Sequence, residues 1–183
     1  MKREDLELAT IKATEIIRQR EVLIIGSQAI LGSYSEGELP ARAIMSNEVD
    51  MASLNDNAAE TLADLIDAEL GEWSDFDRDH GFYVQGVSVR TAYLPLGWET
   101  RLVRVEPRGH QDSVGLCLEP HDLCAAKLAR FDTKDCEFVD ALIEAGLVEP
   151  ATIRARLDQI TDERFEPQRK RASTRWIKAR AGR

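Results

Sequence analysis

VLIIGSQAILGSYSEGELPARAIMSNEVDM, residues 22–51, opens on an apolar run that drops into Gly26-Ser27. It closes on two acids, Glu48 and Asp50, one valine apart. The opening run is short, partly β-branched and bounded by glycine, so it reads as a buried strand. SQAILGS, residues 27–33, has the length of one or two helical turns. Gly32, Gly37 and Pro40 then make 33–42 a loop. SNEVDMASL, residues 46–54, alternates and reads as a second strand. Side chains alternate across a strand, so Glu48 and Asp50 share one face.

Two carboxylates at that spacing repel each other, and a bound divalent cation removes the cost. Magnesium suits such a pair, because it takes one or two carboxylates together with phosphate oxygens and water. A solvent-facing strand in an acidic chain explains the same pair without any metal. Gly-Ser at a strand end lets the backbone approach a phosphate and offers free N–H groups with a hydroxyl beside them, although Gly-Ser is also common in ordinary turns. Taken together, a phosphate cradle on one strand and an acid pair on the next are the two halves of a phosphoryl-transfer site.

Outward from this stretch, residues 3–19 read as an amphipathic helix with Leu6, Ala9, Ala13, Ile16 and Ile17 on one face. Downstream, Asp56 or Asn57 caps a helix over 58–71 that carries Leu62, Leu65, Ile66 and Leu70 on one side and stops at Gly71. Residues 71–81 read as polar and turn-like. FYVQGVSVRTAYL (82–94) and TRLVRVE (100–106) alternate, and PLGW between them predicts an antiparallel hairpin with Trp98 packing its turn and Arg101 nearby. SVGLCL (113–118) adds a strand. The remainder is helical: a start at Glu119-Pro120, a second helix over 133–146 capped by Asp132 with Asp135, a third from Pro150 to about Ile160, and a basic one over about 166–180. The class is therefore α+β. A mixed sheet flanked by helices fills residues 1–116, and a helical C-terminal subdomain, 117–183, packs on it.

Composition narrows the function. The chain has 183 residues, 43% apolar and 31% charged, which fits a folded soluble domain. It contains no apolar run near the ~20 residues that span a bilayer. MKREDLELAT lacks the apolar stretch of a secretory signal, so the expected location is the cytoplasm. Cys117, Cys124 and Cys136 make an odd count without a CxxC. Cys117, His121 and Cys124 have spacings a metal site can use, but buried thiols beside a helix start are the plainer reading. His80, His110 and His121 match no nucleophile pattern. The net charge of −9 hides a basic end: from Arg164 onward stand eight Lys/Arg and one acid, Glu166. That end either contacts nucleic acid or is a solvated helix face.

With these residues in view, the chain resembles the nucleotidyltransferase superfamily built on the DNA polymerase beta palm, whose hallmark is Gly-Ser followed by an Asp-x-Asp pair. In closer detail it is similar to bacterial nucleotidyltransferase-like proteins related to AbiE and MenT toxins. The resemblance rests on IIGSQAILGSY, SNEVDM, YLPLGWETRLV and EPHDLCAAKLARFDTKDCEFVDALI. It implies that Gly26 and Ser27 hold triphosphate oxygens of an NTP, and that Glu48 and Asp50 carry Mg²⁺, with Mn²⁺ as the alternative ion. It implies that Lys127, helped by Arg130 or Lys134, neutralises phosphate charge. Positions 127, 130 and 134 share a face if their helix is continuous. The implied reaction transfers a nucleoside monophosphate to a hydroxyl on RNA or protein. In the toxin branch a cognate antitoxin is the partner. The alternative is a degenerate module of the same fold that binds nucleotide or RNA without turnover.

Three departures stand out. The first acid is Glu48 instead of Asp. Twenty residues separate Ser27 from Glu48. Strand candidate 82–95 carries no Asp or Glu where many relatives place a third carboxylate; Asp135 is the candidate substitute.

Overall fold

The computed structural model of the chain describes residues 1–54 and 59–181. Helix α1 (Arg3–Ile17) buries Leu6, Ala9, Thr10, Ala13, Thr14 and Ile17, a stripe at helical spacing. Its two buried threonines satisfy their hydroxyls inside the element: Thr10 donates to the Leu6 carbonyl at 2.8 Å and Thr14 to that of Thr10 at 2.9 Å. Five strands follow: β1 (Glu21–Ile24), β2 (Glu48–Ala52), β3 (Tyr83–Gly86), β4 (Val103–Val105) and β5 (Val114–Cys117). They form one mixed sheet in the order β3-β2-β1-β5-β4. β1 runs antiparallel to β2 and parallel to β5; β2 is parallel to β3, and β4 antiparallel to β5. β1 sits at the centre and is apolar almost throughout, as a strand covered on both faces must be. Helix α1 lies against β1, β2, β3 and β5, and α2 (Ala59–Leu70) against β3 and α1.

The hairpin expected across residues 82–106 does not form. β3 and β4 lie at opposite edges of the sheet, and the antiparallel partner of β4 is β5. β3 stops at Gly86, whose N–H donates to the Asp67 carboxylate of α2 at 2.8 Å. A side chain at 86 would strike the Ala63 backbone, so the helix crosses there at close range. Ser88 then accepts the Arg90 N–H and starts a 3₁₀ turn over Val89–Thr91. Alternation beyond residue 86 therefore reflects half-burial of a crossing segment and not a ladder. Trp98 packs no hairpin turn; it opens a 3₁₀ turn, Trp98–Arg101, entered through Gly97 at φ 76°.

Residues 71–81, expected as a polar turn, contain a short helix, α3 (Asp75–His80). Ser74 caps it by accepting the Asp77 N–H, Gly81 ends it at φ 73°, and Phe76 anchors it edge-on against Phe82. Leu65, expected on the buried side of α2, is 44% exposed, while Ile66 and Leu70 carry the packing. The caps proposed at Asp56 and Asn57 lie outside the described residues.

Helices α4 (Pro120–Arg130), α5 (Thr133–Glu144), α6 (Pro150–Asp158) and α7 (Pro167–Lys178) complete the chain. Glu119 caps α4, accepting the N–H groups of His121 and Asp122. The helix ends at Phe131 in the left-handed region, φ 63°, so 127–134 is not one continuous helix. Asp132 occupies the start of α5 without a side-chain cap bond, and Asp135 turns inward instead of closing a capping box. α4 is the hub, touching α5, α6 and α7. One buried cluster runs from Leu6 through the sheet to Ile177. Among the described residues no helix is long and apolar enough to cross a membrane.

Candidate active site

Antiparallel pairing of β1 and β2 creates the site. Because Ile24 stands opposite Met51, the exit of β1 lies beside the entry of β2, and the Ile25 N–H donates to the Asp50 carbonyl at 3.1 Å. Gly26 and Ser27 are thereby brought against Glu48 and Asp50, although twenty residues of chain intervene. The glycine is required by this contact: a methyl group on Gly26 would collide with the Asp50 carboxylate. The long connection is tied down from within. Gln28, fully buried, donates through Nε2 to the Ser46 carbonyl at 3.0 Å, and Ser46 Oγ accepts the Glu48 N–H at 3.2 Å.

These groups line a cavity of ≈ 540 Å³, within the usual range of small-molecule sites. Every residue to which the resemblance gives a site role lies on its wall: Gly26, Ser27, Glu48, Asp50, Lys127, Arg130, Lys134 and Asp135. Lys127 and Arg130 come from α4 and Lys134 from α5, so the bend at Phe131, not a shared helical face, aims the three cations at one space. Arg42, ion-paired with Glu137 of α5, adds a fourth cation at the rim.

Among the described residues, the two acids of β2 have no ion-pair partner. Burial, and then the negative charge of Glu48, push the Asp50 carboxyl up to about 6; Lys127, Arg130 and Lys134 pull the other way through space. Asp135 is placed differently. It is 1% exposed, with Lys127 Nζ 3.0 Å from Oδ1 and Arg130 Nε 3.1 Å from Oδ2. The second contact is an ion pair without hydrogen-bond alignment. A carboxylate held by two cations is suited to fixing them in place, and its Oδ2 accepts no hydrogen bond.

A hard divalent cation fits the acid pair. The donors are carboxylate oxygens, and Asp50 is largely desolvated, its proton affinity raised by burial and then by the charge of Glu48. Among the described residues no group of three His, Cys, Asp or Glu assembles. A two-carboxylate site suits Mg²⁺ or Mn²⁺, which keep water and phosphate oxygens as further ligands, and does not suit a closed zinc centre.

Sequence reading missed the residues on β3. The parallel register sets Tyr83 beside Glu48 and Gln85 beside Asp50. Burial, and then the charge of Glu48, push the Tyr83 hydroxyl up to about 12. Gln85 lines the cavity where a third acid would have faced Asp50. Only the strand order reveals this, because nothing in the local sequence says that β3 pairs with β2.

The remaining candidates take structural places. Cys117 and Cys124 are fully buried, and burial pushes the Cys117 thiol up to about 12 and Cys124 up as well. His121 joins Glu119 through Nδ1 at 2.6 Å and accepts the Glu149 N–H on Nε2 at 3.1 Å, linking the starts of α4 and α6. Arg101 leaves the Trp98 turn to pair with Asp122.

No curated protein and no solved structure matches the chain. Residues 4–178 match the model of the family described as "Nucleotidyltransferase of unknown function (DUF6036)". With nearly its whole length covered, and with Gly-Ser, an acid pair and three cations on one cavity wall, the chain belongs to this nucleotidyltransferase family.

Proposed function

We propose that the chain transfers a nucleoside monophosphate from an NTP to a hydroxyl acceptor on RNA or protein, with Mg²⁺ or Mn²⁺ held by Glu48 and Asp50. The observation that carries this reading is the convergence of Gly26-Ser27, the unpaired acids and Lys127, Arg130 and Lys134 on one cavity. A bound divalent ion supplies charge neutralisation on the phosphoryl oxygens and a lowered acceptor pKa. The chain's own groups do the rest. The backbone at 26–27 and the Ser27 hydroxyl receive non-bridging oxygens at the start of the 3₁₀ turn. Lys127 and Arg130, anchored by Asp135, face the charge that builds on the departing pyrophosphate. The acceptor oxygen bonds to the α-phosphorus as the α–β bridge breaks. Its proton leaves to solvent, since Gln85 offers an amide where a base would stand.

Gln85 also favours a second reading: a nucleotide- or RNA-binding module that does not turn over. One assay separates the two. The protein is incubated with labelled NTPs, Mg²⁺ or Mn²⁺ and total RNA or protein, beside Asp50→Ala. Label transfer abolished in the variant supports the enzyme, and binding without transfer supports the module. Absence of both sinks each. The likeness to AbiE and MenT proteins adds a toxin role with an antitoxin partner. Growth arrest on expression, relieved by Asp50→Ala, is its test.

A further inference from the structure

Glutamate at position 48 poses a problem that the cavity wall answers. Its carboxylate stands one methylene further from the backbone than aspartate's, with an extra torsion to fix before it can hold a cation. An acid that swings freely is a poor ligand, because its ordering must be offset at every binding event. The neighbouring strand removes that freedom. Tyr83 is the in-register partner of Glu48 on the parallel strand β3. Its own N–H donates to the Asn47 carbonyl at 2.9 Å, so its backbone is fixed one residue from the acid. In register on neighbouring strands, its half-buried ring stands on the same face of the sheet as the Glu48 side chain, which places the hydroxyl to reach that carboxylate. Tyr83 itself does not reach the cavity wall, whereas Glu48 does.

We propose that Tyr83 is a positioning residue: by donating to one oxygen of Glu48, it aims the other into the cavity and sets the affinity of the cation site. This rests on the reading of Glu48 and Asp50 as the metal-holding pair. A hydrogen bond to a ligating carboxylate fixes its orientation and raises the ligand quality of the free oxygen, and its loss typically weakens metal binding by about 10- to 100-fold. Aspartate at 48 would be too short to use the same donor, so tyrosine and glutamate work as a unit.

The test is direct Mn²⁺ binding, read from the electron paramagnetic resonance signal of free ion, on wild type, Tyr83→Phe, Glu48→Asp, the double variant and Asp50→Ala. Tyr83→Phe keeps the ring and its packing. It is expected to raise the Mn²⁺ Kd by about tenfold or more while the unfolding midpoint stays near wild type. In the Glu48→Asp background the same substitution is expected to change Kd less than about twofold, the non-additivity of a coupled pair. A Kd for Tyr83→Phe within about twofold of wild type overturns the proposal and leaves the metal pair standing. An equal loss in both backgrounds also overturns it, since Tyr83 would then act elsewhere. No Mn²⁺ binding by wild type, or undiminished binding by Asp50→Ala, removes the metal pair itself and Tyr83's role with it.

Discussion

Asp122 and Asp135 are buried carboxylates ion-paired with two cations each; among the described residues Glu48 and Asp50 have no ion-pair partner. Asp122, 0% exposed, accepts Arg101 Nε at 2.7 Å and Nη2 at 3.1 Å, and lies 3.0 Å from Arg156 Nε. Burial pushes its pKa up, and the arginines pull against that rise. The arrangement joins the 98–101 turn, α4 and α6. Asp135 does the same for Lys127 and Arg130. At these two buried carboxylates, then, the fold supplies counterions. At β2 it withholds them, at the cost of repulsion between neighbours. A chain able to pair its buried acids elsewhere, and leaving this pair bare beside Gly26 and Ser27, is consistent with the proposed cation site.

Breaking a satisfied acid and breaking a bare one should have opposite signatures. Asp122→Ala leaves Arg101 and Arg156 without their partner and should destabilise the fold by about 3–5 kcal/mol, read as a lowered urea midpoint. Asp50→Asn should leave the midpoint unchanged or raise it near pH 8, because it deletes an unfavourable charge. Its cost falls on transfer instead, a drop of about 10³-fold, or about 4 kcal/mol in the barrier, measured by label incorporation at saturating Mn²⁺. If Asp50→Asn instead unfolds the protein while Asp122→Ala is tolerated, the contrast is inverted and the site has been misplaced.

Much of this was legible before any coordinates. The strand ending in Gly26, the alternation that sets Glu48 and Asp50 on one face, and the helix starts at Pro120 and Pro150 each follow from local rules. All eight expected site residues line one cavity. What local rules cannot carry is pairing at long range. Residues 82–106 alternate well enough for a hairpin, yet the Asp67 carboxylate and the close crossing of α2 at Gly86 end β3, and β4 finds β5 at the far edge. The same limit hid Tyr83 and Gln85, whose importance lies wholly in their register with β2. Phe131 in a left-handed conformation was equally invisible, since a non-glycine residue there is set by its surroundings. α3 was readable: Ser74 with Asp77 three residues on, then Gly81, is a capped short helix whose acidic composition masked it.

A smaller effect sharpens the comparison through pH. Without a cation, native Asp50 keeps its proton up to about 6, whereas an unperturbed carboxyl releases it near 3.8. Between those values the native state binds more protons than the unfolded chain, so stability falls as pH rises through the window. Above it the full penalty applies, at most about 3 kcal/mol and less where cavity water screens the charge. Saturating Mn²⁺ should therefore raise the unfolding midpoint strongly near pH 8 and little near pH 5, where binding must displace the proton. Asp50→Asn should lose both the pH slope and the Mn²⁺ shift. A Mn²⁺ shift of equal size at both pH values would mean that the ion binds elsewhere.

The smallest expected effect comes from a third kind of acid, one whose partner is optional. Glu21 on β1 pairs with Arg104 on β4 at 2.9 Å, and Arg104 also reaches Glu106 at 3.4 Å, but all three side chains are open to solvent, from 38% to 66% exposed. Water already solvates these charges, so the pairs gain little Coulomb energy, hold long side chains in one geometry, and are screened by salt. Arg104→Ala should leave the urea midpoint unmoved at physiological ionic strength and label transfer unchanged, with any loss appearing only in low salt. A clear loss at physiological ionic strength would show that these exposed acids also depend on a protein-supplied cation. Desolvation would then no longer be what separates Asp122 and Asp135 from the rest of the charged surface, and the bareness of Asp50 would lose its meaning as a mark of function.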